Sequence, residues 1–263
     1  EEKMLLENKV VVVTGSTKGI GKGIALKVAE EGGIPVISGF EAELLNDVLP
    51  GEFSKLGYPD LLYVKCDVTK ADEVENLMKQ AYDKYGRIDA LAANAGITDM
   101  CHFEEMTPER WDRMIGINLR GVFLADRAVY PYLKKNGGGK IVNTGSDCAL
   151  EGWEYLSSYS AAKFGVRGLT QSLAKELGRE NITVNCVCPG IIETDIWVQT
   201  DEMLGQISGK KKGEEWDAAV AKIPLGRGGR PEDIGNGVVL LLSKYADYIT
   251  GCSLAVGGGS SIH

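Results

Sequence analysis

Short, almost wholly apolar runs alternate along the chain with amphipathic stretches of helical period. Val10–Val13, Pro35–Ser38, Leu61–Lys65, Asp89–Ala93, Lys140–Thr144, Ile182–Val187 and Ser253–Val256 have the length and apolar continuity of strands covered on both faces. Between them, Gly21–Glu31, Val74–Tyr85, Trp111–Lys134, Ser158–Gly178 and Pro231–Ser243 read as helices. Pro131 is expected to break or soften the third of these, whereas Pro231 stands in a first turn, where proline is tolerated. Such alternation predicts an α/β fold, a doubly wound parallel sheet with helices on both faces. With no repeat, linker or composition shift, residues 1–263 read as a single domain. Residues 191–222 are long and irregular, yet carry Trp197, Met203, Leu204, Ile207 and Trp216, which predicts a lid over a substrate.

Composition narrows the function. The 263 residues are 44% hydrophobic and 25% charged, ordinary for a soluble globular protein. A net charge of −8 and a pI near 5.0 disfavour nonspecific binding to nucleic acid. The apolar runs are too short to span a bilayer, and no secretory leader is visible, so neither nucleic acid nor membrane is an expected partner. Six cysteines without metal-ligand spacing fit a reducing, cytoplasmic setting. Cys186 and Cys188 share one face of a strand and could ligate together, but packing is the favoured reading. His102 and His263 stand in no ligand motif, so no metal is expected.

Candidate chemistry begins at Thr14-Gly15-Ser16-Thr17-Lys18-Gly19-Ile20-Gly21, directly after the first strand. Gly15 permits a tight turn, while Gly19 and Gly21 let backbone approach a pyrophosphate at the start of a helix. Farther on, Tyr159 and Lys163 lie four apart on a helix, so their side chains leave one face. An ammonium beside a phenol favours the phenolate, bringing the tyrosine's proton exchange nearer neutral pH. Ser146 lies upstream on a loop. Tyr155 is the competing tyrosine, but four places beyond it stands Tyr159 rather than a lysine.

Together with Asn94-Ala95-Gly96, Asn118, Asp67 and Pro189-Gly190 followed by Thr194, these motifs resemble the short-chain dehydrogenase/reductase family over almost the whole chain. The resemblance implies a Rossmann-like domain binding a nicotinamide dinucleotide. It implies Tyr159 as general acid/base, Ser146 holding the reacting oxygen, and Lys163 lowering the tyrosine's proton affinity and binding ribose hydroxyls. It also implies Asn118 positioning a water that links Lys163 to solvent. Cofactor contacts are implied at Gly15, Thr17, Lys18, Gly19, Ile20 and Gly21. They extend to Asp67 and Val68 at the adenine, Asn94, Ala95 and Gly96 in the centre, Tyr159 and Lys163, and Pro189, Gly190, Ile192 and Thr194 at the nicotinamide end.

Gly39, followed by Phe40 and Glu41, stands where the family often carries its ribose-binding acid. Lys18 could pair with the 2′-phosphate of NADP, whereas Glu41, Glu43 and Asp47 would repel it, so the balance favours NAD. Asp147, Glu151 and Glu154 offer acceptors to substrate hydroxyls, and Trp153, Trp197 and Trp216 offer apolar faces. The segment from Pro189 to Trp197 looks like bacterial polyol and butanediol dehydrogenases. The expected reaction interconverts a secondary alcohol and a ketone, with a polyol or diol as the leading substrate. A hydroxysteroid dehydrogenase and a non-catalytic dinucleotide-binding regulator are the alternatives. The resemblance further implies a homotetramer.

Overall fold

A computed structural model describes Met4–Ser260; Glu1–Lys3 and Ser261–His263, including the second histidine, lie outside the described residues. Seven parallel strands form one sheet: β1 (Val10–Val13), β2 (Ile34–Gly39), β3 (Leu62–Lys65), β4 (Ala90–Ala93), β5 (Gly139–Thr144), β6 (Ile182–Pro189) and β7 (Ser253–Val256). Their order is β3-β2-β1-β4-β5-β6-β7, so the winding reverses between β1 and β4. The unbroken apolar strands now have their reason. Val10 and Val12 face one core layer and Val11 and Val13 the other, because alternate residues leave opposite faces. Each fully buried valine contributes roughly 1.5–3 kcal/mol of hydrophobic stabilisation.

Helices α1 (Gly19–Glu30) and α9 (Pro231–Leu242) pack on each other with the Val11/Val13 layer. Helices α3 (Ala71–Tyr85), α5 (Gly121–Lys135) and α6 (Ser157–Leu177) cover the opposite face. Helix α5 runs through Pro131 without breaking. It is preceded by α4 (Pro108–Ile115) and a π-helical turn, Gly116–Arg120, in place of one unbroken helix. A π-helical turn at Leu44–Val48 and α2 (Leu49–Lys55) fill the connection from β2 to β3, where the sequence pattern predicts no helix. Leu45, Leu49 and Phe53 recur every four residues and are all buried, but Pro50-Gly51 masks that period. The segment read as irregular forms α7 (Asp195–Ser208) and α8 (Glu214–Val220), separated at Gly209 and Gly213 in left-handed conformation.

Asp126 on α5 is 3% exposed and has one hydrogen bond, from Asn143 Nδ2 at 3.1 Å; its Oδ1 has no partner. Burial outweighs the Asn143 bond and pushes the carboxyl up to about 8. Its proton is therefore held in the folded chain at pH values where the unfolded chain has lost it. Stability is fully present below the ordinary carboxylate value, falls as pH rises to about 8, and is level above that. Urea denaturation of Asp126→Asn against the parent at mildly acid and alkaline pH checks this: the variant should lose the slope in that window.

Candidate active site

The carboxyl ends of the strands open into a cleft of about 670 Å³. It crosses the point where the strand order reverses, the place where open α/β sheets bind ligands. Phe40, Glu41, Asp67 and Val68 line one end, the start of α1 lines the middle, and Ser146, Trp153, Tyr159 and Leu204 line the other.

The middle is built from backbone. The start of α1 has no side-chain cap and no acidic residue in its first turn, so its N–H groups face the cleft without a protein acceptor from either source. A Cβ at Gly21 would run into the carbonyl of Gly15, so only glycine lets the turn and helix close up. Gly19 has φ +53°, and a Cβ there would meet only Thr194, at 3.4 Å, beside the cleft. Asn94 ties this turn to β4: its N–H reaches Thr14 Oγ1 at 3.0 Å and its Nδ2 reaches the carbonyls of Thr14 and Gly15, each at 3.2 Å. Ala95 N–H also reaches Thr14 Oγ1, at 3.1 Å. An elongated cleft with uncapped N–H groups at its centre fits a dinucleotide pyrophosphate.

Polar groups at the outer end are already engaged. Thr17 Oγ1 donates to Glu41 Oε2 at 2.8 Å, and Lys18 Nζ pairs with Glu41 Oε1 at 3.1 Å. Partial burial opposes the charge on Glu41, but these two partners outweigh it and hold the carboxyl below its usual range. Lys18 therefore serves Glu41. Asp67 Oδ1 accepts from the N–H and hydroxyl of Thr69, at 3.0 and 2.7 Å, which shapes the turn after β3.

At the inner end, Ser146 follows β5 and caps the short turn Asp147–Ala149. Its Oγ donates to Asp147 Oδ1 at 2.6 Å and accepts from Cys148 N–H at 3.1 Å. Helix α6 begins at Ser157, which puts Tyr159 and Lys163 on one face towards the cleft. Tyr155 precedes the helix at φ +63° and packs edge-on against His102, away from Lys163's helical register. The π-helical turn brings Asn118 against the loop after β4. Its Oδ1 accepts from Ile97 N–H at 3.2 Å, and its Nδ2 donates to the carbonyls of Ile97 and Met114 at 3.1 and 3.2 Å. The Asn118 amide thus staples α4 and the loop; it makes no direct bond to Lys163.

One expectation is revised. Lys163 Nζ lies 5.5 Å from the centre of the Tyr159 ring and donates to Thr144 O at 2.8 Å. Burial pushes the Tyr159 phenol well above its ordinary value and pushes the Lys163 ammonium down to about 8. Desolvation at the cleft wall is the largest cause of both, and Cys148 and Asp147 add to the rise at Tyr159, which is itself only half-buried. The expected lowering of the tyrosine is thus absent from the chain by itself.

Among the three acids singled out in sequence, only Asp147 lines the cleft; Glu151 and Glu154 are exposed. Asp147 is 7% exposed, and burial raises its carboxyl against the pull of the Ser146 and Cys148 hydrogen bonds. Trp153 and Trp197 line the cleft, whereas Trp216 packs edge-on against Trp197 with ring centres 5.6 Å apart. Ile196, Thr200 and Leu204 present one face of α7 to the cleft. Met100 and Leu156 pack with Tyr159 and Leu204, and Arg113 and Gln199 complete the wall. The last two gave no sequence signal, because exposed polar helix residues read as solvated surface.

The family model described as short chain dehydrogenase matches residues 9–205. A diacetyl reductase [(S)-acetoin forming] of Staphylococcus epidermidis is 36% identical, covering 96% of this chain and 98% of its own. A 3alpha-hydroxysteroid dehydrogenase of Mediterraneibacter gnavus is 37% identical, covering 98% of both chains. The crystal structure of levodione reductase superposes with a TM-score of 0.90 at 32% identity, over 97% of this chain and 98% of that one.

Gly19→Ala separates folding from dinucleotide binding. The new methyl meets no tight contact, so the variant should fold with a loss of about 1–2 kcal/mol from its left-handed conformation. It would nonetheless intrude beside the uncapped N–H groups, and calorimetric titration should show dinucleotide affinity weakened about tenfold or more.

Proposed function

The chain belongs to the short-chain dehydrogenase family and is an oxidoreductase of secondary alcohols and ketones; from that premise we propose that it oxidises a small diol or polyol, with NAD as its dinucleotide. The observation that carries the substrate reading is Asp147. A buried carboxyl sits one hydrogen bond from Ser146, and among the described residues no hydrogen bond uses its Oδ2. A hydroxyl next to the reacting carbon would donate to that oxygen. An apolar ring system would bury it unpaired, at a cost of about 1–3 kcal/mol. This disfavours a steroid, despite the likeness to a steroid dehydrogenase.

The nicotinamide supplies or takes up the hydride when bound. Tyr159 gives its proton to the ketone oxygen and takes it back from the alcohol. Ser146 Oγ holds that oxygen, and Asp147 fixes the orientation of Ser146. Lys163, anchored on Thr144 O, makes phenolate formation cheaper whenever it carries its charge, and it would bind the ribose hydroxyls of a bound dinucleotide. Asn118 maintains the wall between α4 and the loop of Ile97. The backbone N–H groups at Gly19, Ile20 and Gly21 would hold the phosphates, while Thr17 and Lys18 stay engaged with Glu41. Asp67 and Val68 would flank the adenine, while Asn94–Gly96 and Pro189, Gly190, Ile192 and Thr194 would frame the nicotinamide half. Glu41, held ionised by Thr17 and Lys18, repels a 2′-phosphate and accepts from a ribose hydroxyl, which supports NAD. Helix α7, backed by α8 through the Trp197–Trp216 contact, would close over the substrate as a lid.

Exposed apolar residues lie on α4, α5 and α6 at Trp111, Phe123 and Phe164. Others lie at Leu240, Tyr245, Tyr248 and Ile249, beside the entry to β7. Two separate apolar faces support a homotetramer. Six unpaired cysteines support a reducing cytoplasm, which cell fractionation would check.

Reduced-nicotinamide absorbance with pools of diols, polyols and steroids, each with NAD and with NADP, tests the reading. The diol or polyol pool with NAD should respond, and Tyr159→Phe should lower turnover about 10²–10⁴-fold while still binding dinucleotide. Turnover only of steroids, or none lost in Tyr159→Phe, would overturn it. Light scattering should give four times the 28.3 kDa chain mass, and a one-chain mass would contradict the tetramer.

A further inference from the structure

Ser146 has one proton to give, and in the free site Asp147 already holds it. Ser146 Oγ donates to Asp147 Oδ1 at 2.6 Å and accepts from Cys148 N–H at 3.1 Å. A hydroxyl carries a single O–H and an ionised carboxylate can only accept, so the direction of the short bond is fixed. Oδ1 also accepts from Cys148 N–H at 2.8 Å. That leaves Oδ2 without a donor among the described residues, on a side chain that lines the cleft. Both residues are 7% exposed, so the bond lies in a poorly solvated wall, where a charge-assisted hydrogen bond is strong.

This engagement conflicts with the task of Ser146. Alkoxide and ketone oxygens only accept, so Ser146 has to donate in order to hold either. Turning its O–H towards the reacting oxygen strips Asp147 of one of two donors, and a buried carboxylate left short of donors is costly. A hydroxyl on the carbon next to the reacting one removes the conflict by donating to Oδ2. The carboxylate then has two donors throughout: Ser146 and Cys148 in the free site, Cys148 and the substrate in the loaded one.

We propose that Asp147 is an interlock on Ser146, withholding the serine proton from the reacting oxygen until a neighbouring substrate hydroxyl replaces Ser146 on the carboxylate. No covalent bond changes in this exchange; one O–H leaves Oδ1 for the reacting oxygen, and another arrives at Oδ2. Asp147 acts on the reacting atoms only through Ser146, as a positioning residue. An alcohol without the second hydroxyl occupies the site with Ser146 still turned away, so the discrimination falls on turnover as well as on binding. The interlock rests on the diol reading and on the roles proposed for Ser146 and Tyr159.

Burial favours the neutral form of Asp147, and the hydrogen bonds from Ser146 and Cys148 favour the ionised one. The two forms make opposite demands on a substrate. With Oδ1 accepting twice, a neutral carboxyl would carry its proton on Oδ2 and donate to an ether or carbonyl oxygen, whereas the ionised form admits only a donor.

Three substrates that differ at one group separate these cases: a four-carbon vicinal diol, the same alcohol with hydrogen in place of the second hydroxyl, and the diol's monomethyl ether. With the full chain and NAD, kcat should be about tenfold or more higher on the diol than on the other two. Asp147→Ala should raise kcat on the plain alcohol and the ether, with little change in KM, and bring the diol down to their level. That gain also shows that the variant has folded. Asp147→Asn keeps an acceptor for Ser146 and should leave the plain alcohol slow. In a Ser146→Ala background Asp147→Ala should raise nothing, because no serine proton remains to be released. Without turnover, the infrared difference between the free parent and Asp147→Asn at neutral pH should show a carboxylate. A carboxylic-acid carbonyl in its place, an ether turned over as well as the diol, or an Asp147→Ala that slows all three substrates alike would overturn the interlock. Should the parent accept no diol or polyol, the substrate reading falls, while the response of an accepted plain alcohol to Asp147→Ala still decides the interlock.

Discussion

A lysine side chain buried in the cleft wall and held by one carbonyl is the constraint on which the rest of this site depends. Lys163 reaches Thr144 O only because α6 lies across the end of β5. That placement follows from the shared core of Val166, Ala174, Ile141 and Val184. Burial of these apolar groups contributes far more than the single hydrogen bond it enables. The same burial lowers Lys163 to about 8 and raises Tyr159, so the sheet and helix that position the pair also move both proton affinities away from their ordinary values.

The two halves of the cleft solve opposite problems. At the dinucleotide end the chain offers backbone N–H groups and little side-chain charge beyond the Lys18–Glu41 pair. At the substrate end it buries side-chain polarity: Ser146, Asp147, Lys163 and Asn118 all lie within an apolar surround. Asn94 and Thr14 tie the halves together across β1 and β4, where the strand order reverses. The family resemblance covers this frame closely.

Most of the fold is legible in the sequence. Every strand is recognisable to within a few residues, because unbroken apolar runs such as Val10–Val13, set between amphipathic segments, are what a sheet covered on both faces demands. The motif residues Ser146, Tyr159, Lys163 and the glycine turn all line one cleft, as the family resemblance implies. The misses have physical causes. Pro50-Gly51 and the Gly209–Gly213 stretch read as breakers, yet proline sits near the start of α2 and the glycines merely separate α7 from α8. Pro131 falls in the later part of α5, which runs on to Lys135. The proton affinities lie beyond the reach of sequence, because i,i+4 spacing gives proximity but says nothing about desolvation, which here outweighs it.

The most direct test of this account is the titration of the Lys163 side-chain amine by nitrogen-detected NMR in the chain free of dinucleotide, assigned with Lys163→Met. The account predicts a midpoint near 8, displaced downward by burial. A midpoint at the ordinary lysine value of 10.5 would mean a solvated, ordinary ammonium, and would contradict the claim that burial sets the charge at this site.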